Sequence, residues 1–145
     1  MALDTSPLLA GWREWAALPE LGITALKVKV DTGALTSALH AIHVRLCGHE
    51  RVRFDVHPVQ RRSEYTVSCE ADLVGRRLVR SSSGHHEYRP VIRTAILLGG
   101  RQWSIDLTLT NRDSMGFRML LGRRAMRRRL IVDPARSFAC GGRRG

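Results

Sequence analysis

One stretch constrains this chain more than any other: Leu26-Lys27-Val28-Lys29-Val30-Asp31-Thr32-Gly33-Ala34. Leu26, Val28 and Val30 alternate with Ala25, Lys27 and Lys29, the period-two pattern of a strand with one buried face. That strand runs directly into an aspartate, a small hydroxyl residue and a glycine. Gly33 permits a positive φ or a close backbone approach, Thr32 can bond locally, and the amides of the turn can hold the Asp31 carboxylate. The bland account is a β-turn in which Asp31 caps the backbone. The functional account is a carboxylate presented as a reagent, because packing alone does not place an aspartate at the end of an apolar strand.

The rest of the 145 residues reads as one domain made mostly of short strands. Residues 11–19 fit either a short helix, with Trp12 and Trp15 three apart, or a strand closed by Pro19 and Gly22. Residues 37–46 alternate, with Ala38, His40, Ile42, Val44 and Leu46 on one face. Arg51 to Val56 is an amphipathic strand ended by Pro58. Tyr65 to Leu73 and Arg76 to Arg80 are expected to form a hairpin around Gly75. Ser81 to His86 is a polar segment between strands. Arg89 to Leu98 and Arg101 to Thr110 form the clearest hairpin, joined by a tight primed turn at Gly99-Gly100. Late in the chain, Phe117 to Leu121 reads as a buried strand ending at Gly122-Arg123. A short basic helix over Arg124 to Arg129 and a strand Leu130-Ile131-Val132 follow.

Asp31-Thr32-Gly33-Ala34 after an apolar strand resembles the active-site loop of retropepsin-type aspartic peptidases. Leu120-Leu121-Gly122-Arg123 resembles the second motif of those enzymes, a strand that supports the loop from behind. Further segments sharpen the resemblance: Arg13-Glu14-Trp15, Thr36-Ser37-Ala38-Leu39-His40, His57-Pro58, Arg89-Pro90-Val91-Ile92-Arg93-Thr94, Leu107 to Asp113 and Val132 to Ser137. Together they look like the bacterial "ATP-dependent zinc protease" family, small retropepsin-like proteins associated with an ATP-grasp ligase that adds glutamates to a ribosomal protein. The resemblance implies an all-β acid-protease barrel with one short C-terminal helix. The domain would span residues 11–139, between a flexible lead-in at 1–10 and a flexible tail at 140–145. It also favours a strand for residues 11–19.

The resemblance assigns Asp31 as catalytic, Thr32, Gly33 and Ala34 as its loop, and Leu121, Gly122 and Arg123 as support, the arginine anchoring a dimer through an ion pair. Ser83, Gly84 and His85 would form the tip of a substrate-covering flap, and their mobile composition suits a lid. An aspartic peptidase needs two carboxylates sharing one proton. Asp113 precedes Ser-Met-Gly and Asp133 precedes Pro, so neither repeats the loop. The second aspartate must come from another copy, which makes a two-fold homodimer the expected form.

The formal charge is +11, and of 24 basic residues only Lys27 and Lys29 are lysine. Such a charge favours anionic partners, and beside a glutamate ligase it would suit acidic peptide substrates. An arginine-rich codon bias would write the same composition. Nucleic acid is not the expected partner, because no helix-turn-helix, zinc-finger or RNA-recognition pattern is present and aromatics are 6% of the chain. His40, His43, Cys47 and His49 are the only cluster with ligand-like spacing. His40 and His43 fall on opposite faces of a strand, and no H-E-x-x-H helix exists, so zinc is not expected. No phosphate-binding G-x-x-x-x-G-K-[ST] loop is present either, so neither is ATP. Three scattered cysteines, no signal-peptide pattern and no long apolar run point to the cytoplasm and away from a membrane. The expected function is a homodimeric aspartic endopeptidase. The alternative is a non-catalytic binding module on the same fold, partnering the ligase or RNA.

Overall fold

A computed structural model describes residues 6–59, 65–80, 83–111 and 116–141. Its strands are β1 (Leu8–Ala10), β2 (Arg13–Leu18), β3 (Ile23–Val30), β4 (Ser37–His40), β5 (Ile42–Leu46), β6 (Arg51–Val56), β7 (Val67–Arg80), β8 (His86–Leu98), β9 (Arg101–Thr110), β10 (Met119–Leu121) and β11 (Leu130–Val132). One helix, α1 (Arg123–Met126), follows β10, and a 3-10 turn at Pro19–Leu21 links β2 to β3.

The strands pair in the order β2-β3-β10-β4-β9-β8, and Ala17 of β2 pairs with Leu97 of β8 to close this run into a six-stranded barrel. Its inside is built from alternate residues of each strand. Leu26, Val28 and Val30 of β3 meet Leu39, Leu107, Leu109, Met119 and Leu121, all essentially without solvent contact. Burying such a side chain contributes roughly 1.5–3 kcal/mol, so the alternation read in the sequence also orients β3. Strands β7, β6 and β5 continue outward from β8 as an arm. Glycines 99 and 100, at φ 59° and 78°, supply the expected primed turn between β8 and β9.

Four expectations are corrected. Residues 8–10 are not a loose lead-in: they form β1, which pairs in parallel with β11, placing Leu8, Leu9 and Ala10 beside Leu130, Ile131 and Val132. The hairpin around Gly75 is absent. β7 runs unbroken through that glycine with a bulge between Leu73 and Gly75, the other common use of glycine in a strand. The single strand over 37–46 is two, because Ala41 interrupts the ladder and His43 takes a φ of 55°. Ser37 and Leu39, not Ala38, lie on the inward face of β4. The helix has four residues where six were expected, beginning at Arg123 and ending at Met126. Residues 81–82, part of the expected flap, and Asp113 lie outside the described residues, as do 142–145 of the expected tail. Cys140, the first residue of that tail, donates its backbone N–H to the Glu14 carboxylate at 3.1 Å.

Candidate active site

β3 and β10 run parallel, with Val30 beside Leu121. The chain leaves β3 at Asp31, whose N–H donates to the Leu121 carbonyl at 2.9 Å. Val30 N–H donates to the Trp12 carbonyl at 2.8 Å, so the strand is held on both sides up to the turn. The Asp31 carbonyl then accepts from Ala34 N–H at 3.2 Å, and its Oδ1 accepts from Gly33 N–H at 2.9 Å. A Cβ on Gly33 would stand 3.1 Å from that oxygen, tighter than ordinary contact, so a larger residue there would press on the carboxylate. The Asp31 side chain is half-exposed, while Thr32 and Gly33 are exposed.

The second motif grips the far side of this loop. Arg123 donates its backbone N–H to the Ala34 carbonyl at 2.8 Å and its Nη1 to the Thr32 carbonyl at 3.0 Å. Arg124 N–H reaches the Leu35 carbonyl at 3.0 Å. Gly122 lies directly against Thr36: a Cβ there would meet the Thr36 carbonyl oxygen at 2.4 Å. Gly122 N–H donates to the buried Ser37 Oγ at 2.9 Å. Thus Asp31, Thr32, Gly33, Ala34, Leu121, Gly122 and Arg123 come together in one unit, with a named contact for each motif residue. Within the chain the Arg123 guanidinium is bonded to the loop backbone. The sequence reading missed Ser37 as a partner of Gly122, although its place in Thr36-Ser37 after the loop was a signal.

A second structural carboxylate was also missed. Glu14 is fully buried and accepts from the N–H groups of Gly11 (2.6 Å), Ala139 (2.8 Å) and Cys140 (3.1 Å). It ties the segment after β11 to β2. Beside it the Arg13 guanidinium lies over the Trp12 and Phe138 rings, at 4.8 and 5.0 Å.

Ser83, Gly84 and His85 lie between β7 and β8 at the end of the arm and are exposed, Gly84 with a φ of 86°. Beneath the arm lie two cavities, of about 590 and 350 Å³. Asp31 lines neither. They reach its loop at Thr36 and Ser37, on the strand that leaves it.

The histidines and cysteine at positions 40–49 do not converge. His40 is buried and lines the smaller cavity, whereas His43 is exposed and bonded to Asp55 at 2.8 Å. Among the described residues no group of three or more His, Cys, Asp or Glu could hold a metal ion, so the residues present do not fit a zinc site. The three cysteines are unpaired. Burial, with the Asp55 carboxylate nearby, pushes the Cys69 thiol up to about 11; burial and the neighbouring Glu14 do the same to Cys140, also to about 11. No helix among the described residues is long and apolar enough to cross a membrane.

A closed six-stranded barrel whose Asp-Thr-Gly loop is gripped by a Leu-Gly-Arg segment defines a retropepsin-like protein. The chain belongs to the RimB-like family, described as "Retropepsin-like aspartic endopeptidase RimB", whose model matches residues 9–141. It is similar to a "Probable alpha-L-glutamate ligase" of Shewanella pealeana, 46% identical over 142 residues that cover 96% of this chain and 31% of the relative. One of the same name from Desulfotalea psychrophila is 46% identical over 144 residues, 97% of this chain and 31% of that protein. The chain therefore spans about a third of the length of the curated relatives it matches. Among solved structures it is similar to Lpg0085 of Legionella pneumophila, a protein of unknown function. The TM-score is 0.76 at 30% identity, covering 93% of this chain and 99% of the other.

Proposed function

We propose that the chain is one subunit of a homodimeric aspartic endopeptidase, with the Asp31 carboxylates of two copies meeting at a two-fold axis. The observation that carries this is the holding of Asp31: Gly33 N–H bonds one carboxylate oxygen, and Leu121 and Arg123 lock the loop beneath it. Catalysis through a carboxylate needs the group placed to within about half an ångström, and backbone bonds from two strands supply that rigidity. Asp133 serves otherwise, with its Oδ1 accepting from Ala135 N–H at 3.0 Å.

Two such carboxylates a few ångströms apart hold one proton between them, because both cannot be charged at once. The ionised member takes a proton from water as the oxygen attacks the peptide carbonyl carbon. The protonated member gives its proton to the carbonyl oxygen, forming a neutral gem-diol. A proton then passes to the amide nitrogen, the C–N bond breaks, and the dyad returns to its starting state. Ser83, Gly84 and His85 would cover the bound peptide, excluding water. The same reading places its work in the cytoplasm, in keeping with three unpaired cysteines.

Sedimentation equilibrium combined with a peptide-library digest tests the proposal. A dimer whose cleavage disappears in Asp31→Asn, with the fold unchanged, is the expected result. A strict monomer at every concentration and salt removes the dyad and overturns it.

The name and length of the curated relatives favour a second reading, in which the domain accompanies a glutamate ligase as a non-catalytic module. In that case Asp31→Asn would leave its effect on such a ligase intact.

A further inference from the structure

Asp31 projects from a strand end that is gripped from two sides, and only one of them belongs to the paired motifs. On that side the Asp31 N–H meets the Leu121 carbonyl at 2.9 Å. On the other, the preceding amide, Val30 N–H, meets the Trp12 carbonyl at 2.8 Å. Trp12 lies just before β2, and the segment that follows β11 holds it in place. Its own N–H donates to the Arg136 carbonyl at 2.9 Å, and Phe138 N–H donates to the Arg13 carbonyl at 2.9 Å. Gly11 lies flat against the same stretch, where a Cβ would stand 2.3 Å from the Arg136 carbonyl oxygen.

Residues 136–140 form neither helix nor strand, so no ladder of their own fixes them. Glu14 does. Its Oε2 accepts from Gly11 N–H at 2.6 Å and Ala139 N–H at 2.8 Å, and its Oε1 accepts from Cys140 N–H at 3.1 Å. One side chain thus binds the residue before Trp12 and the far end of the segment on which Trp12 rests. A carboxylate is acceptor-only and can take three N–H groups on its two oxygens, whereas an amide would turn its own N–H groups toward one of them. Glu14 is fully buried. Burying a carboxylate is a costly way to hold a segment that apolar packing could hold more cheaply, so stability alone explains it poorly. From the solvent side the Arg13 guanidinium lies over the Trp12 and Phe138 rings and donates from Nε to Ser137 Oγ at 3.2 Å.

We propose that Glu14 is a positioning residue for Asp31. By pinning residues 136–140 against the start of β2, it sets the Trp12 carbonyl, and that carbonyl holds the strand end from which Asp31 projects. The second wall of the site is therefore built by the C-terminal segment rather than by the motif strand β10. The catalytic consequence rests on the peptidase reading, but the positioning itself does not. A carboxylate that must share a proton with its counterpart tolerates little displacement, and an error of about 1 Å far from the chemistry can cost about a hundredfold in rate. Loosening this wall should then slow the chemical step without weakening the binding of substrate.

The test uses Glu14→Gln in the full chain, with two readouts. Amide exchange followed by NMR should quicken about tenfold or more at Val30, while Ile105 in β9 keeps its wild-type rate, because opening is confined to the loosened wall. With a peptide that the wild type cleaves, kcat should fall about tenfold or more and KM should stay within about twofold, the pattern of an interaction realised only in the transition state. Ile96→Val, which trims a buried side chain of β8, is the control for general destabilisation and should leave kcat and Val30 exchange unchanged. If Glu14→Gln does not fold, Phe138→Leu loosens the same segment without touching a buried charge and is expected to act in the same direction. Exchange at Val30 that stays at the wild-type rate, or that rises equally at Ile105, would overturn the proposal. A loss of activity carried by KM alone would do so too. A wild-type chain that cleaves nothing would sink the peptidase reading, and faster exchange confined to Val30 would still establish that Glu14 holds the end of β3.

Discussion

Gly122 lies so close to Thr36 that a methyl group on it would stand 2.4 Å from the Thr36 carbonyl oxygen and 2.6 Å from its carbonyl carbon. The obstacle is backbone, which cannot swing aside as a side chain can. Gly122→Ala should therefore push β10 off the Asp31 loop and cost at least about 1–3 kcal/mol, the range for overpacking a buried site. Gly75 has open space around it and no positive φ, and Gly75→Ala is expected to be neutral or stabilising by about 0.4–1 kcal/mol. Urea unfolding of both variants at constant m checks the pair. A Gly122→Ala protein as stable as wild type would contradict the close approach.

The Ser37 hydroxyl is the acceptor for Gly122 N–H, and both groups are buried. Ser37→Ala leaves that donor without a partner, at a cost of about 1–3 kcal/mol. Amide hydrogen exchange at Gly122 should also quicken relative to the barrel strands. An unchanged exchange rate would mean that the bond is not formed in solution.

The arm carries an ion-pair network whose pH dependence has a definite sign. Glu70 accepts from Arg53 at 2.8 Å and from Arg51 at 2.7 and 3.0 Å, and hydrogen bonds from Arg53 and then Arg51 bring its carboxyl down to about 2 from an ordinary 4.5. Because the folded value is the lower one, the stabilisation is complete above about 4.5 and is lost as pH falls through about 2. Melting curves of wild type and Glu70→Gln should thus differ near neutrality and converge in strong acid. All three groups are solvent-accessible, so the gap is small and narrows further in high salt. A gap that widened on acidification would refute the assignment.

Cys69 and Cys140 hold their protons up to about pH 11, and Cys69 is also buried. The thiolate is the reactive form, so both should resist iodoacetamide at pH 8 in the folded protein and react only after unfolding. Peptide mapping by mass spectrometry reads this directly. Rapid labelling of Cys69 under native conditions would show that β7 opens away from the barrel.

Much of the site could be read from short-range patterns. The alternation of Leu26, Val28 and Val30 orients β3, and Gly99-Gly100 demands its primed turn, because both follow from the geometry of a few adjacent residues. The strand at Met119–Leu121 and the glycine that ends it were legible for the same reason. What failed were choices between local alternatives that the neighbourhood leaves equal. Gly75 fits a turn or a bulge. β7 is continuous because its first half pairs with β6 and its second half with β8, so neither half needs to fold back on the other.

By itself, then, the sequence determined most of the barrel strands, which end of β3 carries a carboxylate, and that the chain is rich in arginine. Only the tertiary structure decided that Leu8–Ala10 is a strand, since its partner β11 lies over a hundred residues away. Only the structure brought Ser37 to Gly122 and buried Glu14 among three backbone amides. Periodicity reports which face of an element is buried. Which distant element covers that face depends on strand pairing across the whole barrel, and no local pattern encodes it.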